Sequence, residues 1–90
     1  MPRPNILIAM ADDLAWPHLG AYGCRFVHTP HADRIAREGV LCHNCYTTAP
    51  SCTPSRASFL TGLYPWQLEE GCQLWGLLPT TYITYPDLLE

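Results

Sequence analysis

Residues 52–62 read Cys-Thr-Pro-Ser-Arg-Ala-Ser-Phe-Leu-Thr-Gly, and this stretch decides how the rest of the chain is interpreted. Thr53-Pro54 has the form of a helix cap followed by proline at the first helical position, where a missing N–H costs nothing. Gly62 is the residue type that ends helices in a left-handed conformation. The pattern therefore predicts a helix over residues 54–61, with a cysteine just outside its start and with Ala57, Leu60 and Thr61 on its buried face.

Cys52 and Arg56 together predict an anion site at this helix start. Unpaired N–H groups give a helix N-terminus a partial positive charge, and arginine adds a permanently charged fork of donors. The alternative is a buried cysteine before an ordinary capped helix, and the physical argument favours neither. A cysteine-dependent phosphatase is excluded, because its loop needs arginine six positions after the cysteine and position 58 is Ser58.

The charge, the apolar runs and the cysteines of the chain limit which functions it can have. Only 14% of the 90 residues are charged, so we expect much of the chain to be covered by protein that is not part of it. The net charge is −3, with no lysine and only scattered arginines, which excludes a nucleic-acid-binding surface. No apolar run approaches the roughly 20 residues of a membrane span. No signal peptide precedes the first apolar run, which leaves the compartment undecided. The five cysteines are interpreted mainly as free thiols.

The order of predicted elements indicates an α/β fold. Residues 5–11 form a continuous apolar run, typical of a strand buried on both faces of a parallel sheet. A capped helix is predicted from Pro30 to about Glu38 and a second strand over residues 40–48. Residues 63–85 are predicted to be a long loop. A last helix begins at residue 86, and the chain stops inside it, so we expect a truncation there.

Asp12 and Asp13 follow the first predicted strand directly. Two adjacent carboxylates repel each other, but a hard cation such as Ca²⁺ or Mg²⁺ would compensate. Open α/β sheets also bind ligands at the carboxyl ends of their strands. A solvated Asp-Asp turn is the alternative, and the residues alone favour it slightly.

A zinc module is a second metal hypothesis. His28, His31, Cys42 and Cys45 have a spacing that could chelate zinc. Against it, residues three apart on a strand point to opposite faces, and the segment between the histidines belongs to a helix cap.

These motifs resemble those of type I, formylglycine-dependent sulfatases. The match is nearly residue for residue over 51–65, and it extends to the apolar strand with its Asp-Asp pair and to the segments 19–23 and 29–40. The resemblance covers residues 4–65. The aromatic residues 66–76 look more like bacterial sulfatases related to heparan N-sulfatases, and their rings could form a wall for a sugar.

The resemblance implies a fold, a modification and a metal. The fold is that of the alkaline phosphatase superfamily, a mixed central sheet flanked by helices. Cys52 would be oxidised by a formylglycine-generating enzyme, and Arg56 would orient and activate the product. Asp12, Asp13 and the modified Cys52 would bind Ca²⁺, or Mg²⁺ in its place.

We therefore expect residues 1–90 to be the N-terminal fragment of one larger sulfatase catalytic domain, truncated at its C-terminal end. The whole enzyme would hydrolyse a sulfate ester or sulfamate on a small molecule or glycan. The fragment alone is expected to be inactive, since the family also uses downstream lysine and histidine residues. The alternatives are a phosphonate or phosphate-ester hydrolase of the same superfamily and a small zinc-binding module.

Overall fold

The computed structural model of the chain describes residues 2–90 and contains three α-helices: α1, Pro30–Glu38; α2, Cys52–Thr61; and α3, Tyr85–Leu89. Four 3₁₀ helices occupy Trp16–His18, Gly20–Tyr22, Pro65–Gln67 and Glu69–Cys72. The chain divides into two compact units, the first ending at Asn44 and the second running Cys45–Glu90.

The two predicted strands are absent from this structure, so the predicted sheet is not confirmed. No strand forms anywhere in residues 2–90, and the segments 5–11 and 40–48 have no regular structure and are mostly exposed. Leu7 is 93% exposed and Val40 87%. A strand has to pair its N–H and C=O groups with a neighbouring strand, and the described residues supply no such neighbour. The predicted mixed sheet is therefore not formed by this part of the chain.

The prediction of α1 is confirmed, with a correction to its face. The helix begins at Pro30 and ends before Gly39, whose N–H donates to the carbonyl of Ile35 at 2.8 Å. Gly39 has φ −117°, so it does not use the left-handed conformation expected of a terminating glycine. The spacing of Ala32, Ile35 and Ala36 predicts one shared face; the two alanines are half-buried, whereas Ile35 is 73% exposed.

Helix α2 confirms the prediction at its end and corrects it at its start. Gly62 follows the helix with φ 72°, the left-handed conformation that glycine adopts without steric cost. The helix begins at Cys52, two residues earlier than predicted, and the residue before it is extended Ser51. Pro54 is therefore the third helical residue. It is tolerated there because the N–H groups of the first turn have no partner within the helix.

The buried face of α2 also differs from the prediction. Pro54, Ala57 and Ser58 are buried, while Leu60 and Thr61 are only half-buried. In this second unit, α2 packs against α3 and both of the neighbouring 3₁₀ helices. The loop predicted over 63–85 thus contains two 3₁₀ helices, and they surround Leu68, which is completely buried. None of the helices in residues 2–90 has the length and apolarity that a membrane crossing demands.

Candidate functional site

The first turn of α2 carries the predicted catalytic cysteine. Cys52 is the first residue of the helix and is an exposed free thiol. Thr53 does not act as the predicted cap; its hydroxyl donates instead to the carbonyl of Leu74. A side chain at the first helical position stands beside N–H groups that have no helical acceptor, where an anion is stabilised.

A second hydroxyl contact ties the same turn to the residues before it. The Thr47 hydroxyl lies 2.7 Å from that of Ser55 and donates to the carbonyl of Ala49 at 3.1 Å. Because a hydroxyl has one hydrogen, which Thr47 uses toward Ala49, the shared hydrogen must come from Ser55. The first turn is therefore held by segments on both sides of α2, and the position of Cys52 is fixed without a ligand.

Arg56 lies four residues after Cys52 in the same helix. Residues four apart project from one face, so the structure brings the predicted nucleophile position and the predicted arginine to a common side of α2. Arg56 is exposed, like Cys52. The sequence predicts Cys52 just outside the helix, and from that position helical geometry would not place it on the same side as Arg56.

Ser58 was not predicted to be buried. Its side chain is only 5% exposed, and its hydroxyl is a buried polar atom with no hydrogen-bond partner among the described residues. No sequence signal identifies it, since serine in a helix is ordinarily solvated or bonded to the preceding turn.

Asp12 and Asp13 lie in the first unit, on an exposed bend. Asp13 has φ 52°, a left-handed conformation that aspartate tolerates better than most residues. The two carboxylates directly follow the apolar segment 5–11. Because Cys52 belongs to the second unit, the role of the aspartates as ligands shared with it stays a prediction.

A hydrogen-bonded cluster anchors the loop that follows the aspartates. The Asp33 carboxylate accepts from the backbone N–H of Ala21 at 2.8 Å and from the hydroxyl of Thr29 at 3.0 Å. Thr29 in turn accepts from the N–H of Gly20 at 2.9 Å. A Cβ on Gly20 would lie 2.5 Å from the carboxylate, so alanine at this position would have to displace the Asp33 side chain. Threonine followed four residues later by aspartate at a helix start could have suggested this cluster.

The donor chemistry fits only part of a calcium site. Calcium takes six to eight oxygen ligands, and two aspartates supply at most four. Within residues 2–90, no three His, Cys, Asp or Glu side chains form a group that could hold a metal ion. The four residues of the zinc hypothesis therefore do not form such a group either. The argument that Cys42 and Cys45 point to opposite faces of a strand does not apply, because neither residue lies in a strand. Further oxygen ligands would have to come from outside the described residues.

Comparison with known proteins points to one family. The family profile described as Sulfatase matches residues 4–88. Steryl-sulfatase of Rattus norvegicus is 58% identical over 64 residues, which cover 71% of this chain and 11% of that protein. N-acetylgalactosamine-6-O-sulfatase of Bacteroides thetaiotaomicron is 41% identical over 92 residues, covering 98% of this chain and 18% of that protein.

Human steryl-sulfatase is 41% identical over 100 residues and covers 98% of the chain, which spans 17% of the human protein. The chain thus spans less than a fifth of the length of these relatives. No solved structure matches the chain significantly.

Proposed function

Since this chain belongs to the sulfatase family, we propose that it is the N-terminal segment of a sulfuric ester hydrolase whose nucleophile is made from Cys52. The observation that carries the proposal is the position of Cys52 as an exposed first residue of α2, with Arg56 one turn later. The match to the family runs through this helix and supports the assignment.

The proposed chemistry needs a nucleophile other than a thiol. A maturation enzyme, with a two-electron oxidant that it supplies, would convert the Cβ–SH of Cys52 to the aldehyde of formylglycine: the C–S bond breaks, water supplies the oxygen, and the sulfur leaves as hydrogen sulfide. A second water would add to the aldehyde to give a hydrate with two hydroxyls. One hydroxyl attacks sulfur and the S–O bond to the alcohol breaks, so that the alcohol leaves with a proton. The second hydroxyl then loses its proton, the C–O bond to sulfate breaks, and the aldehyde is regenerated.

The first turn of α2 supports this sequence electrostatically. Developing negative charge on sulfate oxygens would lie beside the helix N-terminus and the Arg56 guanidinium, which are already in place before the reaction. The hydroxyl contacts of Thr53 and Ser55 hold that turn, so the charges need no rearrangement during the step. Arg56 would also orient the hydrate.

Asp12, Asp13 and the modified Cys52 are proposed as calcium ligands, with Mg²⁺ as the alternative ion. When bound, the ion would neutralise charge on the nucleophile and the sulfate oxygens. Support comes from the adjacent carboxylates and from the exposure of both side chains. The remaining ligands, and the lysine and histidine that would hold sulfate, would come from outside residues 1–90. We therefore expect the 90-residue chain to show no turnover alone.

A sulfated glycan is the proposed substrate class, with a sulfated small molecule or a sulfamate as alternatives. The name of the bacterial relative refers to an amino sugar, and its similarity runs along 98% of this chain. The name of the rat relative refers to a sterol instead. The heparan N-sulfatase-like subgroup suggested by residues 66–76 stays a prediction.

The test combines a mass measurement with kinetics on the full-length protein. Peptide mapping should find formylglycine at position 52, and Cys52→Ala should lower hydrolysis of an aryl sulfate by at least about 10⁴-fold. Arg56→Ala should lower kcat/KM by about 10²- to 10³-fold, with little recovery in Arg56→Lys. Arg34→Ala, which removes an exposed surface pair, is the matched control.

Parallel assays of an aryl phosphonate separate this proposal from the phosphonate or phosphate-ester alternative. Higher catalytic efficiency on the phosphonate would overturn the sulfatase assignment. An unmodified thiol at position 52 in protein that still hydrolyses sulfate would overturn the proposed nucleophile.

A further inference from the structure

One hydrogen bond closes a short loop around Cys52. The hydroxyls of Thr47 and Ser55 lie 2.7 Å apart, and the two residues stand eight positions apart in sequence with Cys52 between them. The Thr47 hydroxyl donates to the carbonyl of Ala49 at 3.1 Å, so it accepts the hydrogen of Ser55. All of these residues belong to the second unit. The bond therefore ties the segment that leads into α2 to the first turn of that helix.

Ser55 is a neighbour of Cys52 on the helix surface. It follows Cys52 by three positions in α2, and residues three apart in an α-helix lie next to each other on one face. The N–H of Ser55 donates to the carbonyl of Ser51 at 3.1 Å, the bond with which an N-cap residue opens its helix. Because Ser51 directly precedes Cys52, the hydrogen bonds of Ser55 set the turn in which Cys52 stands.

This turn is held by groups other than an N-cap side chain. Ser51 is extended and its side chain makes no capping bond. Two hydroxyl contacts with residues outside the helix take the place of the cap: Thr53 donates to the carbonyl of Leu74, and Ser55 donates to Thr47. The turn is thus anchored without the Ser51 side chain occupying the N–H donors that would face an anion.

Without Thr47, the Ser55 hydroxyl has an alternative acceptor in its own helix. Serine hydroxyls in helices bond back to the carbonyl four residues earlier, and such bonds often bend the helix. For Ser55 this carbonyl is that of Ser51, which already accepts the Ser55 N–H. A bend at this point would displace Cys52, the next residue. Thr47 keeps the Ser55 hydroxyl directed away from the helix backbone.

The bond should matter more for reaction rate than for stability. Thr47 is exposed, so water can replace it as a partner, and a neutral hydrogen bond of this kind adds little to the stability of the fold. A reacting group is much more sensitive to position, because a misplacement of about 1 Å can lower a rate by about 10²-fold. Loss of the bond should therefore lower turnover without unfolding the protein.

We propose that Thr47 is a positioning residue for the nucleophile made from Cys52: it directs the Ser55 hydroxyl and thereby fixes the first turn of α2. This inference rests on the proposed function for the identity of the reaction. It deepens that proposal by assigning a role to a residue that lies before the helix and outside the segment 51–65.

The kinetic test removes the Thr47 hydroxyl in the full-length protein. Thr47→Val keeps the shape of the side chain, and each rate is divided by the formylglycine content found by peptide mapping. We expect kcat for an aryl sulfate to fall about tenfold, with KM changed by less than about twofold. Thr47→Ser keeps the hydroxyl and should recover most of the rate. Thr48→Val, at the exposed threonine next in the chain, is the matched control and should leave kcat unchanged.

A double variant tests whether Thr47 acts through Ser55. If both hydroxyls serve one hydrogen bond, Thr47→Val should lower kcat little further in a Ser55→Ala background, because the bond is already lost. Independent losses that multiply in the double variant would overturn the proposal, since Thr47 would then act by another route.

Hydrogen exchange makes the test independent of turnover. In full-length protein, Thr47→Val should speed exchange of the Ser55 amide about tenfold, measured by mass spectrometry on peptides that cover residues 51–56. If exchange responds in this way but the parent protein hydrolyses no sulfate, the anchoring by Thr47 stands and the proposed function fails. An unchanged normalised kcat in Thr47→Val would overturn the proposal. An equal loss in Thr47→Ser, or a loss explained entirely by a lower formylglycine content, would overturn it as well.

Discussion

Residues 5–11 and helix α2 are both apolar enough to suggest regular structure, yet only α2 forms it. In the first unit, the segment 5–11 has no regular structure and is exposed throughout. In the second unit, α2 buries Pro54, Ala57 and Ser58. A helix closes its backbone hydrogen bonds within its own residues, while a strand depends on a neighbour that can be distant in sequence.

The contrast shows which apolar side chains this chain can bury by itself. Leu68 is completely buried, whereas Leu7 stays 93% exposed. Exposed apolar patches of this kind mark surfaces that other protein covers. We therefore expect the segment 5–11 to respond to the rest of the catalytic domain much more than Leu68 does.

The largest effect is expected at Leu68. Leu68→Ala should lower the free energy of unfolding by about 2–5 kcal/mol, because it leaves a cavity in the small core of the second unit. Leu7→Ala should change it by no more than about 0.5 kcal/mol in the 90-residue chain. Urea unfolding followed by circular dichroism measures both.

The same pair of variants in the full-length protein sharpens the comparison. If a sheet covers residues 5–11 there, Leu7→Ala becomes as costly as Leu68→Ala. A Leu7→Ala effect that stays near zero in the full-length protein would rule out a buried strand at that position.

A smaller effect is expected where the first unit does have specific structure. Gly20→Ala places a Cβ 2.5 Å from the Asp33 carboxylate. Displacing this carboxylate breaks its bond with the Ala21 N–H, so we expect a loss of about 1–3 kcal/mol by urea unfolding.

Gly23→Ala serves as the control for Gly20→Ala. It meets no atom within 4 Å and suffers only the strain of φ 93°. Adding Asp33→Ala to each variant separates the steric clash with Asp33 from backbone strain. The loss in free energy of unfolding caused by Gly20→Ala should shrink, and the loss caused by Gly23→Ala should not. Equal behaviour of the two glycines would show that the Asp33 cluster does not hold this loop.

The smallest effect concerns the start of α3. Hydrogen bonds from the Thr84 hydroxyl, and then from its N–H, lower the pKa of Asp87. Each of the two donor atoms lies 2.7 Å from the same carboxylate oxygen. A carboxyl whose pKa is lower in the folded chain stabilises it above the unfolded pKa, and this stabilisation is lost as the pH falls through the folded pKa.

Thr84→Val removes the hydroxyl and should raise the pKa of Asp87 toward its ordinary value while the N–H bond keeps it somewhat low. Carbon NMR titration of the carboxyl group measures the change. Thr80→Val, a substitution of an exposed threonine in the same unit, is the control. An Asp87 pKa that is insensitive to Thr84→Val would show that the hydroxyl bond is absent in solution.

The local parts of the candidate site were predictable from sequence. Proline at the start of α1 and glycine after α2 mark helix ends through their own backbone preferences, and both were placed correctly. The true start of α2 was not predictable, because Thr53 bonds to Leu74, twenty-one residues away, instead of capping the helix. The burial of Ser58 and the contact between Thr47 and Ser55 likewise depend on packing that no sequence period encodes.

The sequence by itself determined the family and the presence of the helices, and it predicted the residues that carry the proposed chemistry, because motif spacing and most helix ends are local properties. Only the tertiary structure decided that Cys52 opens α2 on the same side as Arg56, and that Asp33 holds the loop after Asp12 and Asp13. It also decided that the apolar segments predicted as strands have no regular structure. Pairing and burial need atoms from elsewhere in the fold, and a stretch of sequence does not specify whether those atoms are present.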